Sequence, residues 1–123
     1  MSADVSDDTT FAAVERFNDA FNRHDVDAVM AAMTDDCVFE STSPPHGERY
    51  EGQAAVRAAW EAFFASSPTA HFDAEEVIVT GDRCVVRWAY SWTDGDTPGS
   101  VRGVDVITVR DGKVSEKLAY VKG

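Results

Sequence analysis

The chain has 123 residues, a net charge of −11 and a hydrophobic fraction of 44%, which predicts one soluble globular domain with its own core. The excess of carboxylates excludes nucleic acid and anionic membrane surfaces as partners, because both need clustered lysine and arginine. No apolar run reaches the ~20 residues of a membrane-spanning helix. Residues 1–10 also lack the basic start and apolar core of a signal peptide, so we expect a cytoplasmic protein.

A few residue types account for most of the charged and apolar side chains. The chain contains 14 aspartates but only 3 lysines, and one leucine, Leu118, against 17 alanines and 16 valines. Such a surface suits a protein kept soluble at high salt, where screening removes the self-repulsion of the carboxylates. An acidic protein from an ordinary environment would also fit, and the composition leaves both interpretations open.

The two cysteines, Cys37 and Cys84, lie far apart in the sequence and inside apolar runs. No Cys-x-x-Cys motif is present, and no two histidines have the spacing of metal ligands. We therefore expect two buried thiols, no metal site and no cofactor.

The N-terminal half reads as helical. Residues 1–8 are expected to form a disordered or frayed tail, and Asp8 or Thr9 to cap a first helix that runs to about Arg23. Apolar residues on this helix recur at helical spacing, among them Phe17 and Phe21.

Two further helices and one strand follow. Asp25 is expected to cap a short helix with Met33 on its apolar side, and residues 37–41 to form a strand. Residues 42–53 contain two prolines and two glycines and are predicted to be a loop. A third helix begins at about Ala54 and carries Trp60, Phe63 and Phe64 on one face.

From residue 69 onward the period changes to two, which predicts four strands separated by turns. Their expected ranges are His71–Thr80, Arg83–Trp92, Ser100–Arg110 and Lys113–Val121. The predicted architecture is α+β: three N-terminal helices wrapped around a curved antiparallel sheet, forming a cone over a single domain of residues 9–123. The inside of such a cone is a natural place for a small ligand.

Four segments, taken together, resemble one known superfamily. They are Phe21–Asp25, Thr34–Glu40, Tyr50–Val56 and Gly103–Val114. In order and spacing they resemble the nuclear-transport-factor-2-like superfamily, in particular SnoaL-like and ketosteroid-isomerase-like proteins. The resemblance runs from Val14 to Val121 and implies the cone fold, without fixing the activity.

The resemblance also points to positions for catalytic groups. The aspartate base of ketosteroid isomerases falls on Ser41, their oxyanion-hole tyrosine on Phe17, and their protonated late aspartate on Asp105. Serine cannot abstract a carbon-bound proton unaided, and phenylalanine cannot donate a hydrogen bond. The His-x-Asp pair of SnoaL-type cyclases falls on Lys117 and Ala119, so both established sets of machinery are incomplete here.

Asp105 is the first candidate catalytic residue, and Lys117 is the second. Alternation places Asp105 on one strand face with Gly103 and Ile107. If that face lines the cone, burial raises the pKa of Asp105 towards the range useful for acid–base work. A carboxylate facing solvent or paired with Arg87, Arg102 or Lys117 is the alternative.

Aromatic residues are expected to line the pocket. We predict as ligand-binding residues Phe17, Phe21, Met33, Phe39, Ser41, Trp60, Phe64, Trp88 and Tyr90. Packing of these rings into a core or a dimer interface is the competing interpretation.

These observations predict a domain that binds a small apolar molecule. If catalytic, it would be a cofactor-free isomerase, cyclase or hydratase that acts on an apolar cyclic or carbonyl compound. The alternative is a non-catalytic ligand-binding or assembly domain of the same fold. We also expect a homodimer through the sheet face that the helices leave uncovered, with Leu118 and Tyr120 contributing.

Overall fold

The computed structural model describes residues 7–122. Three helices and six strands follow one another in the order α1 (Asp7–Asn22), α2 (Val26–Ala31), β1 (Met33–Glu40), β2 (Arg49–Glu51), α3 (Gln53–Ser66), β3 (His71–Thr80), β4 (Arg83–Asp94), β5 (Thr97–Arg110) and β6 (Lys113–Val121). No helix among the described residues is long and apolar enough to cross a membrane.

The six strands form one curved, unclosed sheet in the order β2-β1-β6-β5-β4-β3. Every neighbouring pair is antiparallel except β1 and β6, which run parallel. The helices pack on one face of this sheet, so the predicted α+β architecture is confirmed.

Helix α1 is attached to the sheet at both ends. At its start, Thr10 Oγ1 donates to the carbonyl of Gly81, and Asp7 Oδ1 accepts from the N–H of Gly81. At its end, the Asn22 side chain donates to the carbonyl of Phe72 and accepts from its N–H. These bonds hold the helix across the open edge of β3, and its apolar side is buried between them through Val14 and Phe17.

Several predicted boundaries are wrong. Asp7 and Asp8 belong to α1 rather than to a tail, and residues 1–6 lie outside the described part of the chain. Met33 begins β1 instead of extending α2, because the helix stops at Ala31. The Gln53 amide donates to the carbonyls of Met30, Met33 and Thr34, which holds the chain where α2 passes into β1.

Two further differences concern turns. The loop predicted over residues 42–53 contains strand β2, which pairs with the end of β1. The turn predicted over residues 94–99 is shorter, because β4 continues to Asp94 and β5 begins at Thr97. The β4–β5 hairpin is therefore longer than the sequence pattern indicates.

The acidic surface leads to a prediction about salt. If the surface is adapted to high salt, raising NaCl from 0.05 M to about 1 M should raise the melting temperature by about 5 °C, because screening removes repulsion among the carboxylates. Thermal unfolding monitored by circular dichroism measures this. Sucrose at equal osmolality is the control, and an equal rise in sucrose, or no rise in NaCl, would favour an ordinary acidic protein.

Candidate functional site

Asp105 and Lys117 form a buried ion pair across two neighbouring strands. In the β5–β6 register Asp105 lies opposite Ala119, and Ile107 lies opposite Lys117, so the two charged residues are diagonal neighbours on the helix-facing side. Lys117 Nζ is 3.6 Å from Asp105 Oδ2. The two residues are only 6% and 5% exposed.

Arg87 and Arg102, the two arginines considered as partners of Asp105, pair with other residues. Arg87 pairs with Glu75 and Glu76, and Arg102 pairs with Glu75, in an exposed network on the opposite face of the sheet. Lys117 is thus the ion-pair partner of Asp105.

The environment of Asp105 is largely desolvated. Burial raises the pKa of its carboxyl above the ordinary value, and this effect outweighs the opposing influence of the Lys117 ammonium and the Trp88 indole N–H. Asp105 Oδ1 and Trp88 Nε1 both lack a hydrogen-bond partner among the described residues. The indole therefore acts on the carboxylate through a contact that falls short of hydrogen-bond geometry.

Four aromatic rings surround the Lys117 ammonium. Nζ lies 4.8 Å from the ring centre of Phe21, 5.3 Å from Phe39, 5.7 Å from Phe17 and 5.9 Å from Trp60. The negative faces of aromatic rings attract a cation at these distances. The rings and Asp105 together hold the ammonium at a fixed place inside the domain.

A cavity of about 290 Å³ opens beside this pair, and we call it the loop-side cavity. Its rim includes Ser41, Thr42 and Ser43 of the loop after β1, together with Tyr50 of β2. Its walls are mostly aromatic, and its floor is formed by Asp105 and Lys117. This arrangement resembles small-molecule sites, in which apolar walls surround a few polar groups.

A second cavity of about 350 Å³ lies between α1 and β3, and we call it the helix–strand cleft. Asp105 and Lys117 line it as well, so the two cavities share the pair. A register shift between Ala74 and Glu76 interrupts the pairing of β3 with β4 along this cleft.

The structure distributes the predicted ligand-binding residues over three places. Phe39, Ser41, Trp60 and Tyr90 line the loop-side cavity. Phe17 lines the helix–strand cleft, and both cavities include Phe21 and Trp88.

Met33 and Phe64 line neither cavity. Met33 is buried in the core at the start of β1, where the change of element removed it from the predicted helix face. The Phe64 ring stacks on the His24 imidazole at 4.5 Å and packs against Phe21.

Sequence reasoning missed three aromatic residues of the loop-side cavity, Tyr50, Phe63 and Phe72. Phe72 pairs with Tyr90 in the β3–β4 register, and their rings stack at 4.6 Å. Tyr50 pairs with Phe39 in the β1–β2 register, and these rings stack at 5.8 Å. The hairpin register from the Gly81-Asp82 turn would have placed Phe72 opposite Ser91, and the register shift between Ala74 and Glu76 brings it to Tyr90 instead. Tyr50 depended on a strand that the sequence pattern did not show.

Ser41 lines the loop-side cavity, but its hydroxyl is engaged within its own loop. The hydroxyl donates to Ser43 Oγ and accepts from the backbone N–H groups of Ser43 and Glu48. These bonds fix the loop at the rim of the cavity. Ser41 stands where the aspartate base of ketosteroid isomerases was matched, so no carboxylate occupies that position.

Residues 7–122 contain no candidate site for a reactive cysteine or for a metal ion. Cys37 and Cys84 are free and buried, and burial raises the pKa of the Cys84 thiol to about 11. No group of three or more His, Cys, Asp or Glu side chains in this part of the chain could hold a metal ion.

With this geometry in place, the comparisons with known proteins identify the family. The SnoaL-like domain family matches residues 14–117, and the chain belongs to that family. No curated protein sequence matches the chain significantly.

Solved structures agree with this assignment. An NTF2-like protein of unknown function from Mesorhizobium loti is 41% identical, with a TM-score of 0.82 and coverage of 95% of this chain and 93% of its own. A candidate polyketide cyclase from Sinorhizobium meliloti is 24% identical, with a TM-score of 0.72 and coverage of 87% and 92%. A candidate ketosteroid isomerase from Kribbella flavida is 21% identical, with a TM-score of 0.77 and coverage of 97% and 82%. The last two show the shared fold alone.

Proposed function

We propose that this SnoaL-like domain binds a small apolar cyclic or carbonyl compound in the loop-side cavity and performs cofactor-free acid–base chemistry on it. The observation that carries the proposal is the Asp105–Lys117 pair, more than nine-tenths buried, on the floor of an aromatic cavity. Buried ionisable groups with a perturbed pKa in a cavity are typical of catalytic sites.

The two side chains suit complementary roles. A bound carbonyl oxygen would accept a hydrogen bond from the Lys117 ammonium, while Asp105 as a carboxylate would take a proton from the adjacent carbon. The C–H electron pair becomes the carbon–carbon double bond of an enolate, whose negative oxygen Lys117 stabilises. In a β,γ-unsaturated ketone the enolate extends to the γ-carbon, and return of the proton from Asp105 to that carbon completes an isomerisation with a shift of the double bond.

The elevated pKa of Asp105 supports the role of proton carrier. A general base works best when its pKa is close to the working pH, because it must both accept and return the proton. Burial of Asp105 raises its pKa in that direction. The proposal therefore assigns the acid–base work to Asp105, the one ketosteroid-isomerase position kept here, together with Lys117.

Exchange of carbon-bound hydrogen tests the proposal. In D2O the protein should accelerate deuterium incorporation next to the carbonyl of 2-tetralone, an apolar bicyclic ketone, measured by proton NMR. Asp105→Asn should lower the protein-catalysed rate by about 100-fold or more, the usual contribution of a general base. Asp96→Asn changes an exposed carboxylate in the β4–β5 turn and should leave the rate unchanged.

The same experiment distinguishes the alternative. Quenching of tryptophan fluorescence reports binding of 2-tetralone, because Trp60 and Trp88 line the cavity. Binding without acceleration of exchange would contradict catalysis and support a non-catalytic ligand-binding domain. Absence of binding would contradict both.

We also propose that the domain forms a homodimer through the sheet face opposite the helices. Val104 and Val106 flank Asp105 and therefore point away from the cavities, and Leu118 lies opposite Val106. These side chains are partly exposed, and the nearby Tyr120 is 52% exposed. These side chains form an apolar strip beside the network of Arg87, Arg102 and Glu75 on the same face, and such a strip suits a self-complementary interface.

The dimer leads to a test with one substitution. The wild-type chain should elute in size-exclusion chromatography with light scattering at twice its mass of 13.4 kDa, and Val106→Lys should elute as a monomer, because a lysine is costly to bury in an apolar interface. Phe11→Lys places the same charge on exposed α1 and should remain dimeric. A monomeric wild-type protein would overturn the proposal.

A further inference from the structure

The helix–strand cleft differs from the loop-side cavity in its charge. Its lining includes Glu15 and Asp19 of α1 and Asp73 of β3, whereas the loop-side cavity has no acidic residue except Asp105 on the shared floor. Asp73 is paired with His71 at 3.1 Å, and neither Glu15 nor Asp19 has an ion-pair partner among residues 7–122. The excess negative charge therefore lies at one cavity and not at the other.

The walls of the cleft are apolar. It is lined by Phe11 and Val14 of α1 and by Phe72 and Val77 of β3, with Phe11 towards the Gly81 end and Phe72 towards the Asn22 end. Phe11 is 43% exposed and is one of the few large hydrophobic residues that the fold leaves uncovered. A space of about 350 Å³ between such walls can hold one aromatic ring with a short side chain.

Asp105 and Lys117, on the floor of the cleft, determine how a ligand would be oriented. Asp105 lies there with its Oδ1 buried and without a hydrogen-bond partner. The Lys117 ammonium stands 3.6 Å from the other carboxylate oxygen and would repel a second cation at this depth. A cationic ligand would therefore place its apolar part inward and its charge at the carboxylates of the rim.

From these observations we infer that the helix–strand cleft is a second binding site, specific for small arylalkylammonium ions. The ring would lie between Val14 and Val77, and the ammonium would contact Glu15 and Asp19. The loop-side cavity shares the Lys117 ammonium but has no carboxylate at its rim, so it would not attract the same ligand. The inference does not depend on whether the loop-side cavity is catalytic.

A pair of isosteric probes tests this site on the intact protein. Titration with 2-phenylethylammonium chloride, followed by two-dimensional ¹H–¹⁵N NMR, should shift the amides of Asn18, Ala74 and Val77 and leave those of Ser41 and Tyr50 in place. Neutral 2-phenylethanol should bind about fivefold more weakly, because it lacks the attraction of the rim carboxylates. Addition of NaCl should reduce that difference.

Two sets of variants sharpen the test. The double substitution Glu15→Gln with Asp19→Asn should reduce the preference for the ammonium probe to about twofold or less. Asp94→Asn with Asp96→Asn removes the same charge from the far end of the β4–β5 hairpin and should keep the preference. Ala74→Trp adds bulk at the exposed edge of the cleft and should abolish binding of both probes there.

Equal affinities of the two probes, or amide shifts confined to Ser41 and Tyr50, would overturn the inference. So would an equal effect of the two double variants, which would show that only the overall charge matters. Each outcome is independent of deuterium exchange into 2-tetralone, so failure at the cleft and failure at the loop-side cavity can be distinguished.

Discussion

Replacement of Lys117 by methionine is expected to lower the free energy of unfolding by about 3–5 kcal/mol at pH 7. The substitution keeps most of the apolar side chain but removes the charge that faces Asp105, whose carboxylate then stays buried without a counter-ion. Urea denaturation measures the loss. Lys113→Met, on an exposed residue of the same strand, should change the stability by less than about 0.5 kcal/mol.

The loss should depend on pH in a defined direction. Burial raises the native pKa of Asp105 above 3.8, so between that value and the native pKa the folded state binds the proton more readily than the unfolded state. Stability from this group therefore falls as the pH rises through that window. Without Lys117 the native pKa rises further, so acidification from pH 7 to pH 5 should restore part of the lost stability.

A double variant provides the control for this explanation. Replacing both members of the pair, Asp105→Leu with Lys117→Met, leaves no charge unpaired and should recover most of the stability of the wild-type chain. It should also remove the pH dependence that belongs to the pair. A double variant as unstable as Lys117→Met alone would show that packing around Lys117, and not the orphaned carboxylate, causes the loss.

The second large effect is expected at Gly103. A Cβ atom there would lie 2.2 Å from the carbonyl oxygen of Tyr120 and 2.5 Å from the ring of Trp88. The backbone of β6 and a buried indole cannot both move aside, so Gly103→Ala should cost about 3 kcal/mol in urea denaturation. Displacement of Trp88 should also weaken binding of 2-tetralone, because this ring walls both cavities.

Gly99 offers a matched comparison on the same strand. A Cβ there would clash in a similar way with the ring of Trp92, but its three nearest atoms all belong to that side chain. Trp92 is partly exposed near the end of the hairpin and can rotate away. Gly99→Ala should therefore cost about 1 kcal/mol or less. Equal losses for the two glycine variants would contradict the role assigned to Gly103.

The elements predicted well from the sequence are those with a strong local signal. The amphipathic spacing of α1 and the glycine-containing turns of the C-terminal hairpins indicate the α+β architecture. Strand β2 has only three residues and forms because β1 is next to it, so no local pattern shows it. Met33 is apolar and would suit the end of a helix as well as the start of a buried strand, which explains the wrong boundary.

The candidate site could be predicted where it depends on the alternation of side chains along a strand. The strand period places Asp105 on the inner face, and the diagonal pairing of neighbouring strands brings Lys117 to it. The ring of aromatic residues around Lys117 comes from α1, β1 and α3, and their meeting point is a property of the assembled fold. The helix–strand cleft is also a property of the assembled fold, because the elements that form it, α1 and β3, are about 50 residues apart in the sequence.

The parallel pairing of β1 with β6 has a consequence for how the protein is made. β6 is the final strand described, yet it lies between the strand that follows α2 and the three-stranded meander. While the ribosome is still adding residues before Lys113, the N-terminal half has no strand edge in the meander to join. Strands β1 and β2 must therefore stay unpaired with the meander until β6 is synthesised, although α1 contacts β3 directly, and we expect cooperative folding of the whole domain to begin only then.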